Sequence, residues 1–365
     1  MTTMTHPPDV ATRVFGGVDT HKDVHVAAAL DELGRVLGTG SFATTTDGYR
    51  QLWRWLRSWG EVVAVGVEGT GSWGAGLARH LTAAGVDVRE VMCPNRQHRR
   101  RYGKSDQADA IGAARAVLAG EAVGTPKAGT GQVEAIRLRR IARRSAMKAR
   151  TQAGNQIHAV IDTAPEQLRR RFIGGTTDDI VAETAMFRRR HAPTTPLEAA
   201  RLSLRTLARR WHYLDDEMAA LDAQLDELTA AVAPTLRAIN GVGPQVTTAV
   251  LAAAGDNPER LRSSASFAAL CGVSPIDASS GRQQHHRLNL YGDRHANWAL
   301  HVIIISRLRW HPPTQAYMAR RLAEGRTQKM AIRCLKRHVA REVYGAITAD
   351  LGFNQDIERP PRIAA

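Results

Sequence analysis

The opening part of the chain alternates short apolar runs with polar turns. Residues 14–18, 24–30 and 35–42 are β-type runs separated by Gly and Asp residues, a pattern typical of a three-stranded meander. A helix is predicted over 46–59, and the continuous apolar run at 62–67 suits a central strand. Strands followed by alternating helix and strand predict a mixed α/β sheet.

Helical patterns dominate the rest of the chain. After a helix over 73–84 and a strand over 86–92, a further helix is predicted from about Asp106 to Ala119. The stretch 120–131 contains Gly, Thr and Pro residues and is typical of a linker.

Two long helical segments follow this stretch. Residues 133–160 predict a long basic helix, and 196–232 predict one or two helices with Leu and Ala on one stripe. We expect the two segments to pair as an antiparallel arm or a dimerisation element. Beyond them, a second globular unit is predicted from about Pro234 to Ile347.

The chain is long enough for two domains, each with its own core, at 365 residues. We predict a disordered lead-in over 1–12, an α/β domain over 13–125, a helical arm over 126–233, a mainly helical domain over 234–347 and a tail over 348–365.

The charge balance favours a polyanionic partner. The sequence has 50 Lys and Arg against 35 Asp and Glu, a formal charge of +15 and a pI near 10.6. The surplus is mostly Arg, whose planar fork pairs with phosphate, so nucleic acid is the leading candidate. No apolar run approaches the roughly 18 residues that span a bilayer, and no signal peptide is apparent. We therefore expect a cytoplasmic protein without a membrane partner.

Four acidic residues stand at positions that suit metal binding. Asp19 and Glu68 each follow an apolar strand, and Asp106 and Asp109 are three apart at the start of a helix, which puts both on one face. Singly, each is typical of a turn or a helix cap. Together they could hold two divalent cations about 3.5 to 4 Å apart, and Mg²⁺ prefers such oxygen ligands.

Three segments carry a family resemblance. They resemble the acidic motifs of the DEDD transposases, which belong to insertion sequences whose recombination is guided by a bridge RNA. The segments are GVDTHK (17–22), VEGTG (67–71) and KSDQADA (104–110). The resemblance covers nearly the whole chain. It implies an RNase H-like (RuvC-like) α/β domain in which Asp19, Glu68, Asp106 and Asp109 bind Mg²⁺.

Two segments of the second half add to this picture. INGVGP (239–244), followed by an apolar run, resembles a helix–hairpin–helix, in which Gly241 and Gly243 permit a tight turn and the next helix offers N–H groups to a phosphate. A plain turn between helices is the alternative. The second segment is FAALCGVSP (267–275), which leads to a serine–serine–glycine motif at 279–281. It matches the C-terminal domain of the same family.

In that family the serine before the glycine is the nucleophile, which implies Ser280 here, with Ser279 as the fallback. Without the resemblance this word would be an ordinary turn. Family members often carry Gly and Lys soon after the serine, whereas RQQHH (282–286) stands here. The adjacent His285 and His286 do not favour zinc, because neighbouring residues on a strand point to opposite faces and no Cys lies within ligand spacing. Three distant cysteines are expected to be buried thiols.

Basic residues predict contacts with phosphate, which would position nucleic acid without reading its sequence. A solvated helix face is the alternative. The predicted nucleic-acid-binding residues are Arg99, Arg100, Arg101, Lys104, Arg137, Arg140, Arg144, Gly241, Gly243, Arg282, Arg287, Arg333 and Arg337.

The resemblance implies a transposase with a composite active site, in which two Mg²⁺ ions and Ser280 cut and rejoin DNA through a phosphoserine link. It also implies a bridge-type guide RNA and a homo-oligomer, a dimer assembling to a tetramer on DNA. One alternative is a metal-dependent nuclease or Holliday-junction resolvase whose acids activate water. The other is a non-catalytic nucleic-acid-binding protein with a structural acidic cluster.

Overall fold

A computed structural model describes residues 12–92, 105–188, 193–257, 260–282 and 286–352. The chain divides into two compact units. The first unit holds the residues up to Gly131 together with Ala254–Arg262, and the second holds Gln132–Ala253 and the residues from Ser263 onwards.

One five-stranded sheet forms the centre of the first unit, in the order β3-β2-β1-β4-β5. The first three strands form an antiparallel meander, whereas β4 pairs parallel to both β1 and β5. The strands are β1 (Arg13–Thr20), β2 (Val24–Asp31), β3 (Val36–Ala43), β4 (Glu61–Glu68) and β5 (Val88–Val91). This confirms the predicted mixed α/β sheet, which is compatible with an RNase H-like fold.

Helices cover both faces of this sheet. The helices α1 (Thr46–Arg57) and α2 (Ala75–Ala83) connect the parallel strands and bury their leucines against one face, where Ala27 and Ala29 of β2 lie. The alternate β2 residues Val26, Ala28 and Leu30 pack on the opposite face against α3 (Asp106–Leu118). The two-residue period of the strand therefore divides its apolar side chains between two layers.

Helix α3 packs directly on the backbone of the two central strands. Gly17 and Gly66 are neighbours in the parallel register of β1 and β4. A Cβ atom on Gly17 would lie 2.2 Å from the carbonyl oxygen of Ala110 and from the amide nitrogen of Ala114. On Gly66 it would lie 2.8 Å from the carbonyl oxygen of Ala113. The two glycines and the alanine face of α3 thus permit an unusually close approach of helix to sheet.

The stretch predicted as a linker is hydrogen-bonded within the first unit. The carboxylate of Asp256 accepts hydrogen bonds from the backbone N–H groups of Gly129, Thr130 and Gly131, at 3.1, 3.2 and 2.6 Å. Asn257 donates to the carbonyl oxygen of Pro126 at 3.0 Å. These bonds attach a distant piece of sequence to the first unit.

Two long antiparallel helices dominate the first part of the second unit. Helix α4 spans Gln132–Thr163. After the short helices α5 (Glu166–Arg171) and α6 (Thr177–Ala185), the single helix α7 (Pro196–Val232) returns alongside α4. Ion pairs join Arg143 to Asp222 and Arg150 to Asp215 across the pair. The two predicted helical segments therefore pair within this unit, and a separate arm over 126–233 stays a prediction.

The remainder of the second unit is mostly helical, as predicted. A four-residue helix, α8 (Pro234–Arg237), precedes the glycine turn, in which Gly241 has a φ of 83°. The helix–hairpin–helix itself stays a prediction. The later elements are α9 (Pro244–Ala254), α10 (Ser264–Leu270), β6 (Ile276–Asp277), β7 (His286–Arg287), α11 (Arg294–Trp310), α12 (Pro312–Ala323) and α13 (Gln328–Leu351).

None of the helices in the described part of the chain combines the length and the apolar character needed to cross a membrane.

Candidate active site

The first two predicted acids lie at adjacent strand ends. Asp19 is the penultimate residue of β1 and is 7% exposed, whereas Glu68 is the last residue of β4. The hydroxyl group of Thr20 donates a hydrogen bond of 2.9 Å to the backbone carbonyl oxygen of Glu68. This bond ties together the ends of the two parallel strands that carry the acids.

The other two acids lie in the first turn of α3. The hydroxyl group of Ser105 caps the helix by accepting a hydrogen bond from the N–H of Ala108 at 3.2 Å. Asp109 is buried, at 5% exposure, whereas the side chain of Asp106 is half-exposed. The helix dipole favours negative charge at this end. Because α3 packs closely on β1, its first turn brings both carboxylates near the end of that strand.

A histidine joins the two chain segments. The Nε2 atom of His21 lies 3.2 Å from Asp19 Oδ2 and 3.4 Å from Asp106 Oδ1. Ligand atoms of these three residues all lie within 4.8 Å of one another, which makes them a possible metal site among the described residues. Asp109 and Glu68 are not in this group. His21 belongs to the first acid motif, and its position two residues after Asp19 was the available signal.

The surroundings of Asp19 disfavour its charged form when no cation is bound. Burial raises the pKa of its carboxyl group above the ordinary value, and the nearby carboxylates of Asp109 and Asp106 raise that pKa further. His21 opposes this effect by its charge and its hydrogen bond. The same three carboxyl groups provide hard oxygen donors, so the residues present fit a divalent cation such as Mg²⁺.

The loop after β4 adds a residue that the sequence analysis assigned only to a helix. Trp73 precedes α2, is 55% exposed, and has its ring centroid 6.3 Å from that of His21. Gly69 begins this loop with a φ of 64°, and a Cβ atom there would lie 3.0 Å from the Thr20 hydroxyl oxygen. An exposed indole therefore lies beside the acidic group.

The predicted serine lies in the second unit, in an exposed turn after β6. Ser280 is exposed, and Gly281 has a φ of 55°, in the left-handed region that favours glycine. Ser279 donates hydrogen bonds from its backbone N–H and its hydroxyl group to the carboxylate of Asp277. These bonds lower the pKa of Asp277 and hold the turn. His285 lies outside the described residues.

The predicted nucleic-acid contacts fall into three groups. Arg99, Arg100, Arg101 and Lys104 lie outside the described residues. Arg282, Arg287 and Arg333 are exposed. Arg137 forms two hydrogen bonds with Glu134, and Arg144 contacts His295. Arg140 is buried and Arg337 is partly buried. Gly241 and Gly243 lie in the turn before α9. The basic face of α4 is therefore not uniformly exposed.

Comparisons with known proteins identify the family. A family model for the DEDD domain of IS110 transposases, described as a transposase, matches residues 16–165 and contains all four predicted acids. A second model, described as the transposase IS116/IS110/IS902 family, matches residues 233–319 and contains Ser280. No curated protein matches the chain. Together the two matches cover more than half of the sequence, and the chain is an IS110-type transposase, an enzyme that cuts and joins DNA.

Proposed function

We propose that this transposase cuts and rejoins DNA with a metal-binding acidic tetrad and a serine nucleophile. The tetrad consists of Asp19, Glu68, Asp106 and Asp109, and the nucleophile is Ser280. The observation that carries the proposal is the convergence of Asp19 and Asp106 on His21, beside the buried Asp109. Four acids from two strand ends and one helix would be destabilising without a cation.

The tetrad residues would hold the metal, and His21 would position them. Mg²⁺ prefers oxygen over nitrogen, so the His21 imidazole is assigned to hydrogen-bonding and orienting the Asp19 carboxylate. When bound, two Mg²⁺ ions would supply positive charge to the scissile phosphate and align its oxygens. The buried Asp109 and the Ser105 cap would hold the first turn of α3 in place during the reaction.

Ser280 would form the covalent link to DNA. Its Oγ atom attacks phosphorus, one P–O bond of the DNA strand breaks, and the strand leaves as an alcohol. A hydroxyl group of a second DNA end then reverses the exchange and releases the serine, so one phosphodiester replaces another. The left-handed Gly281 supports this role, because the turn exposes the serine hydroxyl group to solvent and to a substrate.

A gel assay tests this mechanism. On a nicked suicide substrate, the wild type should form a protein–DNA adduct that resists denaturation. Ser280→Ala and Asp19→Asn should lack the adduct, whereas Ser279→Ala should retain it. Cleavage retained by Ser280→Ala would favour the metal-dependent nuclease or resolvase. DNA binding that is independent of Mg²⁺, without cleavage of any substrate, would favour a non-catalytic protein.

Guidance by a structured bridge-type RNA is the proposed source of sequence choice, because phosphate contacts position nucleic acid without reading bases. Purification of the protein from a host that carries the flanking DNA, followed by sequencing of the co-purified RNA, tests this. One enriched RNA from the flanking DNA is expected, and RNA that matches the host background would contradict it.

A homo-oligomer on DNA, a dimer or tetramer, is also proposed. Light scattering of the protein–DNA complex should give the mass of a dimer or tetramer of the protein, and the mass of a monomer would contradict the proposed oligomer.

A further inference from the structure

The arginines of helix α4 serve two different faces. Arg143 and Arg150 form ion pairs with Asp222 and Asp215 of α7, and Arg150 also lies over the ring of Trp211. These contacts account for one face of the helix, which packs within the antiparallel arm.

The other face carries three basic residues four positions apart, which stack along one side of a helix: Arg140, Arg144 and Lys148. Their neighbour is the start of α11. Arg144 contributes an Nη1 atom that lies 2.7 Å from the Nε2 atom of His295. Arginine can only donate, so Nε2 accepts, and the imidazole is neutral with its proton on Nδ1. Burial and the charges of Arg144 and Arg140 lower the pKa of His295, which agrees with this assignment.

Arg140 is a buried arginine whose guanidinium group has no hydrogen-bonding partner among the described residues. It is 9% exposed, yet its guanidinium group makes no hydrogen bond or ion pair with the residues that the structure describes. The charged groups that act on it are Arg144, Asp293 and Arg143. Asp293 caps α11 through one carboxylate oxygen, which accepts from the N–H groups of His295 and Ala296. Arg143 is already paired with Asp222.

A buried guanidinium group without a partner is strongly unfavourable, and it is normally found with an anion. Arg140 offers five donors in a planar fork, and Arg144 and the exposed Lys148 add positive charge beside it. Asp293 is the one acidic group among the charges that act on Arg140, and Arg144 and Arg143 oppose it, so the surroundings of Arg140 keep a net positive charge. This composition fits an oxyanion with several acceptor oxygens.

We propose that Arg140, Arg144 and Lys148 bind one backbone phosphate of the DNA that this transposase acts on. The proposal rests on the DNA-joining function of the family, but not on the serine mechanism. The exposed arginines elsewhere would contact DNA loosely, whereas the fork of a residue that is nine-tenths buried would hold a single phosphate at a fixed position.

The test compares Arg140→Met with Arg150→Met in the full chain. Met keeps much of the side-chain volume and removes the charge. For Arg140→Met we expect about tenfold weaker binding to duplex DNA and a log–log salt slope smaller by about 0.9. Its melting temperature without DNA should hold or rise, because an unpaired buried charge is removed. Arg150→Met should instead lower the melting temperature and keep the salt slope, since Arg150 is paired with Asp215.

An unchanged salt slope in Arg140→Met would overturn the proposal, and so would a fall in its melting temperature as large as that of Arg150→Met. Arg144→Gln, at a partly buried member of the group, should reduce the salt slope in the same direction, which keeps the test decisive if Arg140→Met folds poorly. Weaker binding to a matched RNA duplex with unchanged binding to DNA would contradict DNA as the source of the phosphate.

Inorganic phosphate provides a second probe. At matched ionic strength, replacing chloride by phosphate should raise the melting temperature of the wild type more than that of Arg140→Met, and equal shifts would contradict the site. Repeating the DNA titration in a Ser280→Ala background separates this proposal from the serine mechanism. The effect of Arg140→Met on the salt slope should persist there, whether or not an adduct forms in the wild type.

Discussion

The close packing of α3 on the sheet predicts that Gly17→Ala impairs the active site from a distance. The new Cβ atom would lie 2.2 Å from two backbone atoms of Ala110 and Ala114, about 1.2 Å inside ordinary van der Waals contact. Backbone atoms cannot rotate away, so the whole helix must move. Overpacking of this kind usually destabilises by about 1 to 3 kcal/mol, and we expect the upper end, a fall of roughly 10 °C in melting temperature.

The displacement should affect chemistry more than stability. Asp106 and Asp109 lie in the first turn of α3, and a shift of about 1 Å in reacting groups can reduce a rate by roughly a hundredfold. Adduct formation at saturating DNA and Mg²⁺, measured at a temperature where the variant stays folded, tests this.

Gly112→Ala is the matched control. It lies on the same helix, and a Cβ atom there meets nothing within 4 Å. This change should stabilise by about 0.5 to 1 kcal/mol through helix propensity and leave the rate unchanged. A Gly17→Ala protein with wild-type melting temperature and rate would refute the packing argument.

Three further predictions concern charge and hydrogen bonding. Because folding raises the pKa of Asp19, this group stabilises the fold most at low pH, and its contribution should fall as the pH rises above 3.8. In the presence of a chelator, Asp19→Asn should therefore flatten the dependence of the melting temperature on pH and raise the melting temperature at neutral pH. Asp256→Ala should destabilise by about 1 to 3 kcal/mol in urea unfolding, because the N–H group of Gly131 and its neighbours lose their acceptor. Glu342→Gln should destabilise by about 1 to 3 kcal/mol, because it leaves the buried Arg307 guanidinium poorly paired. Arg307→Met should cost less, because the half-exposed Glu342 that it leaves behind can be solvated. Equal losses in the two variants would contradict this.

Local periodicity was sufficient for much of the first unit. The two-residue alternation and the turn residues located β1 and β4, and therefore located Asp19 and Glu68 at strand ends. The structure confirms the predicted helix beginning at Asp106. Its sequence is locally consistent with a helix, because Ser105 is a favourable cap and small residues follow with helical spacing. These signals depend on neighbours in sequence, which a single chain displays.

Features that depend on distant contacts were not accessible in this way. His21 was quoted within a motif, but its contact with Asp106 depends on where α3 lies on the sheet. A row of arginines on α4 does not reveal that Arg140 is buried while Arg150 pairs with α7, because either side of a basic helix can face a partner. The bonds from Asp256 to Gly131 join residues far apart in the chain, and no local pattern marks them.

The attachment of Ala254–Arg262 to the first unit has a consequence for synthesis. The ribosome completes Gly131 long before it delivers Asp256, and the intervening chain forms much of the second unit. At about 5 to 20 residues per second, this interval lasts on the order of ten seconds. During that time the backbone N–H groups of Gly129, Thr130 and Gly131 lack the acceptor that they have in the finished protein. The unit that carries the acids is thus synthesised first in large part, but it stays incomplete until Ala254–Arg262 has left the ribosome.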